Sequence, residues 1–250
     1  MRRFLLYFAL KYDGDYKKIL QAVSSKEHVE NKDIENIEGK IKCKYVTIID
    51  REYPISLKHI GTPPFVLFYY GDISLLNNYN KIAVIGKREC SIYGEEMTKK
   101  IVKQLKFYKI VTVSGLAKGI DSIVHITSLE NKIKTIAVLG SGIDYCYPIA
   151  NKEIYEKIKT NGLIISEYPN NLSPSPQNFL VRNRIIAALS ESIVVIEANY
   201  KSGTMNTVTY GLEFGKDIFA VPTLATANSG CNQLIKQGAK LIENANDIFE

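Results

Sequence analysis

The chain has 250 residues, of which 46% are hydrophobic and 23% charged, the usage of an ordinary globular protein with a sizeable core. Its formal net charge of +6 permits an anionic ligand without requiring one. The 4 cysteines form no C-x-x-C pair and lie far from the 3 histidines, so we expect neither a metal site nor a disulfide framework. No stretch approaches the roughly 18 apolar residues that span a bilayer and no signal peptide is evident. We therefore expect a cytoplasmic protein that does not engage a membrane.

The first part of the chain, residues 1–77, is rich in Lys, Glu and Asn. Helical spacing is present over residues 16–23, and short extended runs follow at 45–49 and 65–70. The stretch at 75–78 is typical of a boundary before a new unit. We predict a small, mainly helical N-terminal module over residues 1–77 that packs on the rest of the chain.

From residue 78 onward, apolar runs recur, and each ends at glycine or a small polar residue. These runs cover residues 82–86, 110–115, 135–140, 163–166, 192–197 and 218–222. Such runs without polar alternation are typical of parallel strands that are covered on both faces. Helical segments lie between them, so we predict an α/β fold with an extended Rossmann-like, doubly wound, mostly parallel sheet over residues 78–250. Ligands of such sheets bind beyond the carboxyl ends of the strands, so the residues after each run should converge on one edge.

The first motif on this edge begins at Gly86, followed by two cations, Lys87 and Arg88. Ser91 is a candidate cap of the next helix, whose N–H groups could form a phosphate-binding corner with Arg88. The motif has neither the dinucleotide fingerprint nor the P-loop spacing, so no cofactor is expected. A tight turn with solvated charges explains the same residues equally well.

The second motif combines small residues with one cation, at Ser114, Gly115, Lys118 and Gly119. The two glycines would let a ligand backbone approach closely. Asp121 is a candidate helix cap. His125 lacks an accompanying nucleophile motif, so a structural hydrogen bond is a better interpretation than a catalytic base.

Further along the chain, Glu167 ends a strand, and Arg182, Asn183 and Arg184 begin a helix. Residues 182 and 184 cannot share one helical face, so one arginine can reach the edge while the other pairs with an acid such as Glu167 or Glu197. The last motif follows Glu197, and its hydroxyl and N–H groups at a helix start form a second candidate anion site, at Ser202, Gly203 and Thr204. An ordinary helix cap is the alternative there.

The ordered set of these motifs resembles the DprA/Smf (DNA-processing) family. The resemblance covers residues 81–250 nearly end to end and extends weakly upstream. It implies a Rossmann-like fold, a homodimer, and a non-enzymatic mediator that binds single-stranded DNA and helps load the RecA recombinase in natural transformation. On that pattern Arg88, Lys118, Arg182 and Arg184 would contact DNA, beside the turn at 202–204.

The sequence also departs from the family pattern. Lys118 stands where the family usually has arginine, which keeps the charge but loses the planar fork. The C-terminal winged-helix-like domain of many relatives is expected to be absent.

Two alternatives use the same sheet. A hydrolase related to the lysine-decarboxylase-like (LOG) phosphoribohydrolases would carry a glutamate three residues after Thr204, where this chain has Thr207. A nucleotide sensor would bind a mononucleotide through the same N–H groups. Its affinity would not grow with oligonucleotide length, whereas that of a DNA binder would.

Overall fold

The computed structural model describes residues 1–225 and 228–249. Within these residues the strands are β1 (Lys44–Thr47), β2 (Val66–Gly71), β3 (Lys81–Gly86), β4 (Val111–Ser114), β5 (Thr135–Val138), β6 (Leu163–Ser166), β7 (Ser192–Glu197), β8 (Asp217–Ala220) and β9 (Lys240–Leu241). The helices are α1 (Arg2–Lys11), α2 (Tyr16–Ser24), α3 (Asn31–Glu35), α4 (Ile55–Lys58), α5 (Ile92–Leu105), α6 (Ile120–Glu130), α7 (Lys152–Asn161), α8 (Pro176–Leu189), α9 (Gly203–Glu213) and α10 (Gly230–Lys236).

All of these strands belong to one sheet with the order β1-β2-β6-β5-β4-β3-β7-β8-β9. The strands from β6 to β9 in that order pair in parallel, whereas β1 pairs with β2, and β2 with β6, in antiparallel fashion. The predicted α/β fold with a mostly parallel sheet is therefore confirmed.

The central strands are buried on both faces because their sequences are runs of Val, Ile and Ala. Every residue of β4, β5 and β6 is buried. Helices cover each face, so the core consists of apolar clusters above and below the sheet. This arrangement is why the runs lack polar alternation.

The N-terminal part of the chain adds both helices and strands. Helix α1 buries Leu5, Leu6 and Phe8 in the cluster that also includes residues of β2 and β5. Strands β1 and β2 lie within residues 1–77 but extend the sheet of the following residues. The backbone hydrogen bonds of the sheet thus cross residue 77, and the division into two domains there stays a prediction.

The chain reverses its direction across the sheet at β3. From β3 it continues to β4 on one side, and later it returns to β7 on the other side. Such a switch point opens a crevice at the carboxyl ends of the two strands, because the loops that follow them diverge. None of the helices in the described part of the chain is long and apolar enough to cross a bilayer.

Candidate functional site

A cleft of about 720 Å³ lies at the carboxyl edge of the sheet. The loops after β3, β4, β5 and β7 form its base, and α8 with the segment before it forms one wall. Half of the residues predicted for the site line this cleft: Gly86, Lys87, Arg88, Asp121, Arg182, Asn183, Ser202, Gly203 and Thr204.

An aromatic ring that was not among the predicted site residues lies close to two of these arginines. The ring of Phe179 has its centroid 5.5 Å from Cζ of Arg88 and 5.8 Å from Cζ of Arg182. Tyr147, which is 43% exposed, lies 5.6 Å from Phe179 between centroids. Gly140 makes room for the Phe179 ring, since a Cβ there would be 2.6 Å from Cδ1. The cleft therefore offers an apolar ring face beside an exposed cation.

Helical spacing explains why Phe179 faces the cleft. Phe179, Arg182, Asn183 and Ile186 are three or four residues apart on α8 and all line the cleft. The i, i+3 relation between Phe179 and Arg182 is a sequence signal that could have identified the ring as a site residue.

Arg182 forms the floor of the cleft and is only 4% exposed. Its guanidinium donates hydrogen bonds to the carbonyls of Gly115 and Val138, and its Nε donates to the Asn183 side chain. Burial lowers the pKa of Arg182 to about 10, while the Asp121 carboxylate acts in the opposite direction. Arg182 thus places a positive charge under the cleft and fixes two loops beneath it.

The N-terminus of α5 already holds an anion of the protein itself. The Glu197 carboxylate accepts hydrogen bonds from the Ser91 N–H (2.9 Å) and the Ser91 hydroxyl (3.0 Å), and Lys87 Nζ lies 3.2 Å from its other oxygen. Ser91 also caps α5 through the Gly94 N–H. The predicted phosphate corner at Ser91 is therefore corrected: Glu197 occupies it, and Lys87 is partly neutralised.

In the loop after β4, backbone N–H groups also bind a carboxylate of the protein itself. Asp121 accepts hydrogen bonds from the N–H groups of Gly115 (3.1 Å) and Ala117 (3.4 Å). Burial raises the pKa of Asp121, whereas Arg182 and these N–H groups lower it. Because an internal carboxylate occupies these two donors, the N–H groups of Gly115 and Ala117 are not available to a ligand anion.

The N-terminus of α9 is open, in contrast to the previous two. Ser202 precedes the helix without accepting a hydrogen bond from it and donates instead to the Asn199 carbonyl. Thr204 donates to the Gly86 carbonyl, and Asn183 donates to the Gly203 carbonyl. These bonds tie the first turn of α9 to β3 and α8. The Met205 N–H donates to the Ser202 carbonyl. The N–H groups of Gly203 and Thr204 belong to residues that line the cleft, and within the described part of the chain the Ser202 side chain does not cap them, so their partial positive charge is not balanced there.

Two glycines that we expected to admit a ligand instead make room for other groups of the protein, backbone carbonyls at Gly119 and a side chain at Gly115. A Cβ on Gly119, whose φ is +74°, would overlap the carbonyls of Lys87 and Arg88, and the Ile120 N–H donates to the Lys87 carbonyl. A Cβ on Gly115 would be 2.6 Å from the Arg182 guanidinium. Both glycines therefore hold loops together under the cleft.

Arg184 lies outside the cleft and is 2% exposed. It binds the Glu167 carboxylate through two hydrogen bonds of 2.7 and 2.6 Å, and its Nε donates to Thr62 from the N-terminal part of the chain. The prediction that Arg184 contacts DNA is corrected, because its donors face Glu167, Thr62 and the backbone of α8.

The remaining predicted site residues differ in their exposure to solvent. Ser114 is fully buried and donates to the Val84 carbonyl, so it is withdrawn as a ligand contact. Lys118 is exposed and follows Ala117, which lines the cleft. His125 is fully buried below the floor, where Nδ1 lies 2.7 Å from the Thr135 hydroxyl. Burial lowers the pKa of His125 to about 3, and the charge of Arg182 acts in the same direction.

The site has the chemistry of a binding surface for anions. Among the described residues no group of three or more His, Cys, Asp or Glu side chains is arranged to hold a metal ion. The lining groups that can bind an anion or stack on a base are the exposed Arg88, the buried Arg182, the first turn of α9 and the Phe179 ring, and the exposed Glu89 adds one negative charge to the lining.

Comparison with known proteins places this architecture in a family. The model of the family described as DNA recombination-mediator protein A matches residues 44–250, beginning at the first residue of β1. The chain is 42% identical over 205 residues to the DNA processing protein DprA of Streptococcus pneumoniae, covering 81% of this chain and 72% of that protein. The X-ray structure of the S. pneumoniae protein has a TM-score of 0.84 at 34% identity and covers 100% of this chain and 97% of that one.

A second solved relative is the Helicobacter pylori DNA processing protein A, whose structure describes the single-stranded DNA binding mode of that protein. Its TM-score is 0.75 at 31% identity, and the match covers 83% of this chain and 94% of that chain. The chain described here belongs to the DprA/Smf family of DNA recombination-mediator proteins.

Proposed function

We propose that this protein binds single-stranded DNA in the edge cleft and acts, in the cytoplasm, as a DNA-processing mediator in natural transformation that helps to load the RecA recombinase. The observation that carries the proposal is the juxtaposition of Arg88, the Phe179 ring and the open first turn of α9 in one cleft. The single-stranded DNA binding described for the H. pylori relative supports it.

Each part of an unpaired strand has a partner in this cleft. Phosphate oxygens pair with the Arg88 guanidinium and with the N–H groups at the start of α9. An unstacked base lies on the Phe179 ring, because base–aromatic stacking tolerates any base. In a duplex the base faces are covered by their neighbours, so the same ring cannot be used. The cleft therefore favours single strands over duplexes.

We propose a binding role rather than hydrolysis at this site. A carboxylate three residues after Thr204 would serve the LOG-type hydrolases, and this position is occupied by Thr207, which lines the cleft and is 3% exposed. A hydroxyl there cannot supply the negative charge that such a reaction uses. Two acidic residues line the cleft: Asp121 accepts hydrogen bonds from the N–H groups of Gly115 and Ala117, and Glu89 is exposed.

We also propose that two copies of the chain associate through the face beside the edge strand β9. Tyr200 and Leu241 are 48% and 49% exposed there and line a common depression with Ile235. Pairing through such a face would cover an unpaired strand edge, which folded proteins rarely leave open.

The test of the binding proposal is a gel-shift titration with single- and double-stranded oligonucleotides of equal length. The wild type should shift the single strand at lower concentration than the duplex. Arg88→Ala and Phe179→Leu should each weaken the shift, the second by about 1–3 kcal/mol for one lost stack. Saturation by a mononucleotide, with no gain from longer oligonucleotides, would point to a nucleotide sensor and contradict the proposal.

A further inference from the structure

The edge cleft is short compared with a DNA strand of ordinary length. It spans the ends of four neighbouring strands, β5, β4, β3 and β7. At about 4.8 Å between neighbours, this is roughly 14 Å. Even at the compact spacing of about 3.4 Å per nucleotide in a duplex strand, only about four nucleotides fit. A longer strand must leave the cleft over the protein surface.

At the β5 end, the cleft continues into an exposed turn. Tyr147 lines the cleft, and Ile149, two residues further, is 73% exposed. Lys152 follows at the start of α7 and is exposed. An isoleucine this exposed in a turn beside a binding cleft forms no part of the protein core.

This turn is attached to the loop that carries Lys118. The Asn151 side chain is 7% exposed and donates to the carbonyls of Leu116 (3.0 Å) and Ala117 (3.2 Å). Because Lys118 follows Ala117 and Lys152 follows Asn151, these hydrogen bonds hold the loop that carries Lys118 against the start of α7, where Lys152 lies. The apolar side chain and two cations therefore form one surface, which we name the exit surface and define as Tyr147, Ile149, Lys152 and Lys118.

The lysines of the exit surface are not neutralised by nearby acids. Over the described ranges 1–225 and 228–249, neither Lys118 nor Lys152 forms an ion pair. The nearest acid along the helix, Glu153, pairs with Lys157, and Asp144 in the same loop accepts a hydrogen bond from Tyr70. Free cations beside an exposed apolar side chain fit a phosphate backbone with bases.

We propose that a DNA strand longer than the cleft leaves it over the exit surface, where Lys118 and Lys152 contact phosphates and Ile149 packs against a base. This inference rests on the proposed function and extends the binding site beyond the cleft. The opposite end of the cleft, near Asn199, adjoins the depression lined by Tyr200, Ile235 and Leu241, which is assigned above to association of two copies.

The test compares the affinities for a short and a long oligothymidylate, of about 4 and about 20 nucleotides, by fluorescence anisotropy. The variant is Ile149→Glu/Lys152→Ala, which changes two exposed residues outside the cleft lining. It should bind the short oligonucleotide as the wild type does, but lose most of the wild type's gain in affinity for the long one. Its salt slope with the long oligonucleotide should be flatter by about 0.7, the share of one phosphate contact on a single strand.

A matched control is Lys103→Ala, which removes an exposed lysine near the end of α5, toward the opposite edge of the sheet. It should leave both affinities unchanged. If the double variant binds the short and the long oligonucleotide with equally reduced affinity, or binds both with the wild-type affinity, the proposed exit surface is contradicted. If the wild type binds neither oligonucleotide, the proposed function itself fails, which is a separate outcome. Thermal unfolding of each variant verifies that it is folded.

Discussion

Arg88 and Arg184 show how burial determines what an arginine can do. Arg88 is exposed at the cleft, with the Phe179 ring on one side. Arg184 is buried against Glu167 at 2.6 Å, where both side chains are 3% exposed. A buried charge needs its partner to offset desolvation, whereas an exposed charge is available to a ligand. Replacing Arg88 should therefore weaken DNA binding, whereas replacing Arg184 should lower the free energy of unfolding.

Removing Arg184 should destabilise the protein. Arg184→Leu leaves the Glu167 carboxylate buried without its partner, so the free energy of unfolding should fall by about 3–5 kcal/mol. Urea unfolding measures this change. Arg88→Ala is the control, with an expected change within about 0.5 kcal/mol because the side chain is exposed. The double variant Arg184→Leu/Glu167→Leu should recover part of the loss; a single variant as stable as the wild type would contradict the role of the pair.

His125 should make the stability depend on pH. Its folded-state pKa of about 3 lies below the usual value of 6.5, so below pH 6.5 the unfolded state binds a proton that the folded state does not. Stability is therefore lost as the pH falls from about 6.5 towards about 3. Between pH 6.5 and 5.5 the wild type should lose about 1 kcal/mol more than His125→Gln. Urea titrations at several pH values measure the free energy of unfolding of both proteins. If it falls equally with pH in the wild type and in His125→Gln, the neutral, buried imidazole is contradicted.

At the scale of elements, the strand and helix positions could be predicted because burial leaves a local signal. The apolar runs at 82–86 and 192–197 correspond to β3 and β7, and the carboxyl-end rule placed the residues after them at one edge. Strand β9 has two exposed residues and no such run, so it was not predicted.

The occupancy of the helix N-termini could not be predicted from the sequence. Glu197 reaches Ser91 across 106 residues of chain, and no local pattern encodes that contact. The sequence therefore predicts a phosphate site at the start of α5 and another at the start of α9. The pairing of β3 with β7 brings Glu197 to α5, whereas within the described residues the first turn of α9 contains no acidic residue and has no side-chain cap.

A carboxylate introduced at the N-terminus of α9 should stabilise the helix but weaken DNA binding. Gly203 has open space where a Cβ would lie, so Gly203→Asp introduces no clash. The new charge should stabilise the helix by about 0.3–1 kcal/mol through the dipole. It should also repel the phosphate proposed to bind there and weaken oligonucleotide affinity about tenfold or more, a loss of about 1.4 kcal/mol. Gly203→Ser is the neutral control, and equal affinities of the two variants would exclude α9 as a phosphate site.

At the scale of the whole molecule, one sheet joins the N-terminal strands to the strands that carry the cleft. Arg184 strengthens this union because it binds Thr62 and Glu167 at once. The cleft crosses the middle of the carboxyl edge, and the face beside β9 lies at the end of the sheet. The proposed DNA binding would therefore use the middle of the carboxyl edge, and the proposed association of two copies the face at the end of the sheet.

Association through the β9 face should be abolished by a charge placed in its centre. Leu241→Glu adds a carboxylate to a side chain that is 49% exposed, so folding should be preserved while pairing is lost. Light scattering after size-exclusion chromatography should then give a dimer for the wild type and a monomer for the variant. A wild type that is monomeric at high concentration would contradict the proposed face.

The salt dependence of single-strand binding measures whether the cleft binds DNA through its phosphates. If about three to five phosphates are contacted, log K should fall with log[salt] at a slope of roughly −2 to −3.5. Arg88→Ala should flatten this slope by about 0.7, because one phosphate contact is lost, and Lys103→Ala should not change it. An affinity that does not depend on salt, or a slope that Arg88→Ala leaves unchanged, would contradict the account.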